Sequence, residues 1–249
     1  HAYSYRPIAL ALCRRIETLI APLYDNIHQQ WFNSFYSSSS SSSSSNPMTD
    51  DNQIEPLIVE HFEDLPNLIY PCLMHIGIGL SNNVITMSKL CRVIKAFLQH
   101  TPTEATQETS TGHVLEQIFI KSILPSISMQ SSPNPPLLYD IWDALKHFPT
   151  TTRYRMYHGW STLYPRLPEL AVVKARAQSQ AKSFMRKLVK DNVKLYARVL
   201  SATAAMNPLP VFDKLTSSVE SYDNMIGPLV ESLKYLTPFS FDVLSYALL

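Results

Sequence analysis

The residues best equipped for chemistry fall in two places. The first is an apolar stretch holding Cys72 and His75, with His61 before it and Cys91 after it. Cys72-x-x-His75 places two metal-ligating side chains on one helical face, half of a zinc site. The other two spacings match no zinc pattern, and buried cysteines beside a half-buried histidine account for the same residues. Gly77-x-Gly79 lacks the third glycine of a dinucleotide loop and follows no strand, so a close helix–helix turn is the simpler reading. The sequence holds no G-x-S-x-G, no phosphate-loop motif and no H-E-x-x-H. Its carboxylates stand alone or gather in the acidic segment from Asp50 to Asp64. No catalytic residue, metal ligand set or cofactor-binding residue is assigned, and the chain reads as non-catalytic.

The second place is strongly basic. From Glu169 to Arg198 lie Lys174, Arg176, Lys182, Arg186, Lys187, Lys190, Lys194 and Arg198, opposed only by Glu169 and Asp191, in a chain of net charge +1. Lys182, Arg186, Lys190 and Lys194 recur every fourth residue, the spacing of one stripe on a single helix over 168–200. Val172, Val173, Phe184, Met185, Leu188, Val189 and Val193 supply its apolar side. Three readings stay open: phosphate neutralisation on RNA, a dock for an acidic protein, and a solvated face. An RNA contact of this form addresses the backbone rather than base edges. The alternative function this stretch offers is a helical RNA-binding module acting directly through 172–198.

These residues must be positioned by helices. The chain has 5 glycines and 18 prolines in 249 residues, and the prolines fall mostly between apolar segments. Few glycines argue against hairpins and phosphate loops, and helices separated by prolines fit the pattern. Residues 8–20 place apolar side chains at 9, 12, 13, 16, 19 and 20, with Pro22 ending or kinking that helix. Further helices are expected at 56–64, 66–78, 82–100, 113–124, 137–148, 153–160, 211–223 and 226–236, and from 240 onward. The third of these carries Val84, Met87, Leu90, Cys91, Ile94, Phe97 and Leu98 on one face. The expected fold is all-α, an irregular α-solenoid of stacked helical hairpins without sheet. Trp160 and Tyr222 are expected to be buried anchors, and Arg153–Trp160 to pack in the core rather than to stack on bases.

The uncharged run from Leu65 to Ser88 is long enough on paper to span a bilayer, but its prolines, asparagines and His75 favour a buried helix pair and no membrane association. Three cysteines placed singly in apolar stretches fit a reducing compartment. The start at His1 and the stop in an apolar run at Leu248-Leu249 both read as cuts. Residues 36–52, carrying the tract Ser37–Ser45, read as a mobile loop, because poly-serine offers no apolar surface to offset its ordering entropy. Deleting 36–52 should shift urea-unfolding stability by under ~1 kcal/mol, since loop closure costs only ~0.6 kcal/mol per doubling of length.

Several unusual words occur in fixed order: RYRMYHGW (153–160), VVKARAQSQAKSFMRKLVKDNVK (172–194), MNPLPVFD (206–213) and YDNMIGPLVESLKYLTPFSFDVLSYALL (222–249). Their order and spacing resemble the THO complex subunit 2 family, the large scaffold of the TREX assembly. ALALCRRIETLIAPLYD (10–25) is similar to that family's N-terminal helical region. The serine tract and LYARVLSATAA (195–205) depart from the family pattern. The resemblance implies an internal fragment of a nuclear scaffold that supports mRNP assembly and couples transcription and processing to mRNA export. Its implied partners are other THO subunits, subunit 1 above all, a DEAD-box RNA helicase and RNA. It also implies two regions, an N-terminal helical-repeat region at 1–149 and, at 150–249, the beginning of a middle-domain-like array of helical hairpins, truncated at its C-terminus.

Overall fold

The computed structural model describes residues 6–36, 65–100, 110–222 and 225–249. Among them the chain is all-α, with no strand. The helix expected at 56–64, His61 and, apart from Tyr36, the segment 36–52 lie outside the described residues.

The first half holds α1 (Arg6–Tyr36), α2 (Leu65–Ile76), a 3₁₀ segment (Gly77–Asn82) and α3 (Val84–His100). It continues with α4 (Ser110–Ile118), a π-helical turn (Phe119–Ile123), α5 (Leu124–Ser128) and α6 (Pro135–Leu145). The second half holds α7 (Thr150–Ser161), α8 (Pro168–Lys187), a 3₁₀ turn (Lys190–Asn192) and α9 (Val193–Met206). It ends with α10 (Pro208–Val219), α11 (Ile226–Leu233) and α12 (Pro238–Ala247). Pro22 does not end α1, which runs through it as one 31-residue helix. No helix among the described residues is long and apolar enough to cross a membrane, and the uncharged run at 65–88 is divided by the 3₁₀ segment.

Local chemistry explains the starts. Asn134 caps α6 by accepting from Leu137 N–H at 3.2 Å, and prolines fill the first turn. Thr237 caps α12 in the same way through Ser240 N–H, ahead of Pro238. Asn83 accepts from Ile85 and Thr86 N–H at the start of α3.

The buried faces follow the helical period. Ala9, Cys13, Ile16, Ile20 and Leu23 line the inner face of α1. Met87, Leu90, Cys91, Ile94, Phe97 and Leu98 do so on α3. Helices pack on near neighbours in the chain, α1 on α3, α2 on α4, α8 on α10, α9 on α11 and α10 on α12, and α3 packs extensively on α6. Polar groups seal the α3–α6 seam, where Ser88 and Arg92 donate to Asp140 and Lys95 donates to Asp143 at 2.8 Å.

The π-helical turn lets α7 approach closely. A Cβ added at Gly159 would meet the Ile120 side chain at 2.9 Å, shorter than real contacts tolerate. Alanine gains ~1 kcal/mol of helix propensity but forces repacking of ~1–3 kcal/mol. Gly159→Ala should therefore lower stability by about 1 kcal/mol in urea unfolding. Combined with Ile120→Ala, it should cost less than the two single changes added together. Additive effects would mean that the two helices do not meet there.

Candidate functional site

The expected single helix over 168–200 is two helices. α8 ends at Lys187, Leu188 and Val189 are extended, and α9 begins at Val193. Asn192 makes the break. Its Oδ1 accepts from Val189 N–H at 2.9 Å, and its Nδ2 donates to the Lys187 carbonyl at 2.8 Å. One amide side chain thus supplies partners to backbone groups that a continuous helix would pair internally. Leu188 and Val193 are buried on either side of the break.

The four-residue stripe is divided accordingly. Lys182 and Arg186 stand exposed on α8, Lys190 opens the 3₁₀ turn, and Lys194 is exposed on α9. Of the apolar side expected for that helix, Phe184, Met185, Leu188 and Val193 are buried, whereas Val172 and Val189 are 61% and 53% exposed.

Lys182 and Arg186 instead face a groove of about 520 Å³ between α8 and α10. Met185 of α8, Lys214 and Ser218 of α10, Tyr222 just past α10 and Met225 before α11 complete its walls. Lys182, Arg186 and Lys214 form no ion pair among the described residues. Asp213, the carboxylate nearest along α10, is held by Gln178 Nε2 at 3.2 Å. Tyr222 is not the buried anchor expected from its type, since it is 64% exposed at the groove's edge. α10 stops at Val219, so Tyr222 lies beyond the turns whose inner face packs on the core. Lys214 escaped sequence reasoning because it lies outside the basic run. Its link to Lys182 and Arg186 exists only across the α8–α10 packing.

The aromatic motif on α7 behaves as core. Met156, Tyr157 and Trp160 are fully buried. Arg153 makes a bidentate pair with Asp242 of α12, with both contacts at 2.8 Å, and Tyr157 donates to the same carboxylate at 2.7 Å. Arg153 also donates to the Phe148 carbonyl at 2.7 Å and lies over the Trp142 ring. The hydrogen bond to Asp242 is the main cause that holds the Arg153 guanidinium above its ordinary pKa. Burial, with the Asp242 charge added, pushes Tyr157 well above 10. Arg155 reaches the other way, to Glu116 of α4, at 3.2 and 3.0 Å.

Two of the three cysteines pack in the core. Cys13 and Cys91 are fully buried, and burial pushes the Cys13 thiol up to about 11 and Cys91 higher still. Thiols held protonated in this way are poor ligands and poor nucleophiles. Cys72 is half-buried while His75 is exposed, and no three metal-ligating side chains cluster among the described residues.

Comparison with known sequences covers the whole chain. Residues 55–198 match the family described as "THO complex subunit 2 N-terminus", and 200–249 match "Transcription- and export-related complex subunit". THO complex subunit 2 of Homo sapiens is 32% identical over 257 residues, covering 100% of this chain and 15% of the relative. The Arabidopsis thaliana protein of that name is 27% identical over 261 residues, covering 99% of this chain and 14% of the relative. The Saccharomyces cerevisiae protein is 29% identical over 130 residues, 52% of this chain and 8% of the relative. The chain thus spans about 15% of the length of its animal relatives. The similarity seen in the words from 153 onward extends across the N-terminal helices, and the chain belongs to the THO complex subunit 2 family.

Proposed function

We propose that this chain is a non-catalytic scaffold segment of the THO complex, acting in the nucleus within the TREX assembly. In this role it supports mRNP assembly and couples transcription and processing to mRNA export. Its partners are the other THO subunits, with subunit 1 the main one, and a DEAD-box RNA helicase. Residues 1–149 form the N-terminal helical-repeat region, and 150–249 lead into the hairpin array. The observation that carries this reading is family similarity over the whole chain.

The fold supports it physically. Packing of α1 on α3, α2 on α4, α8 on α10, α9 on α11 and α10 on α12 suits an irregular solenoid, whose extended faces bind partners along their length. The Arg153–Asp242 and Arg155–Glu116 pairs join helices to one another. The exposed apolar residues Leu195, Val199 and Val230 lie on the packed pair α9 and α11, where another helical surface can be received.

The test is purification of the tagged full-length protein from nuclear extract after nuclease treatment. The other THO subunits and the helicase should be recovered with it in fixed proportion. Recovery without any THO subunit would end the scaffold reading.

A further inference from the structure

We propose that the groove between α8 and α10 is a binding site for single-stranded nucleic acid, with phosphates on Lys182, Arg186 and Lys214 and a base stacked on Tyr222. This goes beyond the scaffold role and does not depend on it.

The charge pattern comes first. Lys182 and Arg186 are one helical turn apart, about 6 Å along the axis at 1.5 Å per residue. Lys214 adds a third cation from the opposite wall. None is neutralised by a carboxylate among the described residues, and the seam's own Asp213 is engaged by Gln178. Among the described residues, Asp191 and Glu220 are the other acidic residues near the groove in sequence; both are exposed, and neither lines it. An unpaired cation row along a groove is what a phosphate backbone recognises.

The aromatic group decides between ligand classes. An acidic peptide needs only the cations. Tyr222 keeps 64% of its surface exposed and makes no ring–ring contact among the described residues. The groove wall also holds apolar Met185, which is 7% exposed. An open ring beside a cation row is the arrangement that holds a base by its face and its phosphates by charge, without reading sequence. Lys194, on α9, does not line this groove and is outside the site.

The test uses the 249-residue chain with a fluorescent oligouridine and oligothymidine of equal length, at several salt concentrations. A polyglutamate peptide of matched charge is the competing probe. Lys182→Gln, Arg186→Gln and Lys214→Gln together should flatten the log–log salt dependence by about 2, at ~0.7 for each phosphate of a single strand that is no longer neutralised. Tyr222→Ala should weaken both oligonucleotides about 5- to 100-fold, at high salt as well as low, whereas Tyr222→Phe should retain binding. Tyr222→Leu should behave like Tyr222→Ala, because a stacked base needs a ring and not merely apolar area. Lys182, Arg186 and Tyr222 are exposed and Lys214 is half-buried, so helical content should be unchanged and melting little affected.

Oligonucleotide binding unaffected by the triple substitution at low salt would overturn the proposal. So would polyglutamate binding that depends on the three cations but not on Tyr222, combined with nucleic-acid binding insensitive to Tyr222→Ala. That outcome would mark the groove as a dock for an acidic protein. Either failure leaves co-purification with THO subunits unaffected, so the two readings fail separately.

Discussion

Replacing Trp160 with alanine should cost about 3–5 kcal/mol of folding stability, the range for truncating a large buried aromatic side chain. Trp160 is fully buried in the middle of the core. Its indole stacks on Tyr164 at 6.1 Å and 26° between planes. Tyr164 is itself buried, and its hydroxyl lies 3.0 Å from Ser128 Oγ on α5. Removing the indole would open a cavity beneath α7 and take away the ring that Tyr164 stacks on. Single domains are stable by only about 5–15 kcal/mol, so the cost is a large share of the total. Urea unfolding should show a lower midpoint with an unchanged slope. Trp160→Phe, which keeps an aromatic ring, should cost less. If Trp160→Ala left the midpoint in place but abolished partner or RNA binding, the ring would be a ligand contact instead of a core anchor.

Breaking the Arg153–Asp242 pair should be almost as severe. Each side chain is 12% exposed, so neither charge is well solvated. Arg153→Ala leaves the Asp242 carboxylate with only the Tyr157 hydroxyl, and Asp242→Ala leaves a guanidinium facing the Phe148 carbonyl and the Trp142 ring. Removing one partner of such a pair costs about 3–5 kcal/mol, largely from stranding the other charge. The double change Arg153→Met with Asp242→Leu should recover much of the loss, because no charge is then left buried. Denaturation of the two single variants and the double variant measures this directly. Full additivity would mean that the pair is not coupled.

Tyr157 adds a pH signature. Its folded pKa lies well above 10 while the unfolded chain ionises near 10, so the fold holds more protons there. Stability is therefore complete below pH ~10 and declines as pH rises above it. Tyr157→Phe should reduce that alkaline decline, measured as the difference in unfolding midpoint between neutral and alkaline buffer. Tyr164 titrates in the same direction, so some decline should remain.

Much of this architecture is local and was legible in the sequence. The spacing of Ala9, Cys13, Ile16 and Ile20, and of Met87, Leu90, Cys91 and Ile94, defines an inner helical face whatever the neighbouring element is. The helices expected from 137 and 240 begin two residues earlier, at Pro135 and Pro238, where Asn134 and Thr237 cap them within a single turn. The core role of Trp160 followed from the same periodicity.

The candidate site depended on tertiary structure. Lys182, Arg186, Lys190 and Lys194 keep a four-residue rhythm straight through a helix break. Leu188-Val189-Lys190-Asp191-Asn192 contains no proline or glycine to announce it, and the stop comes from the bonds of Asn192 back to Val189 and Lys187. Tyr222 has the composition of an anchor, but α10 ends before reaching it, so packing leaves it at the surface. Lys214 joins Arg186 only because α8 and α10 pack side by side, and Arg153 meets Asp242 across 89 positions of chain. Periodicity records which face of a helix is apolar. Which faces meet is decided by packing among elements far apart in sequence, and both the groove and the buried ion pair are products of that packing.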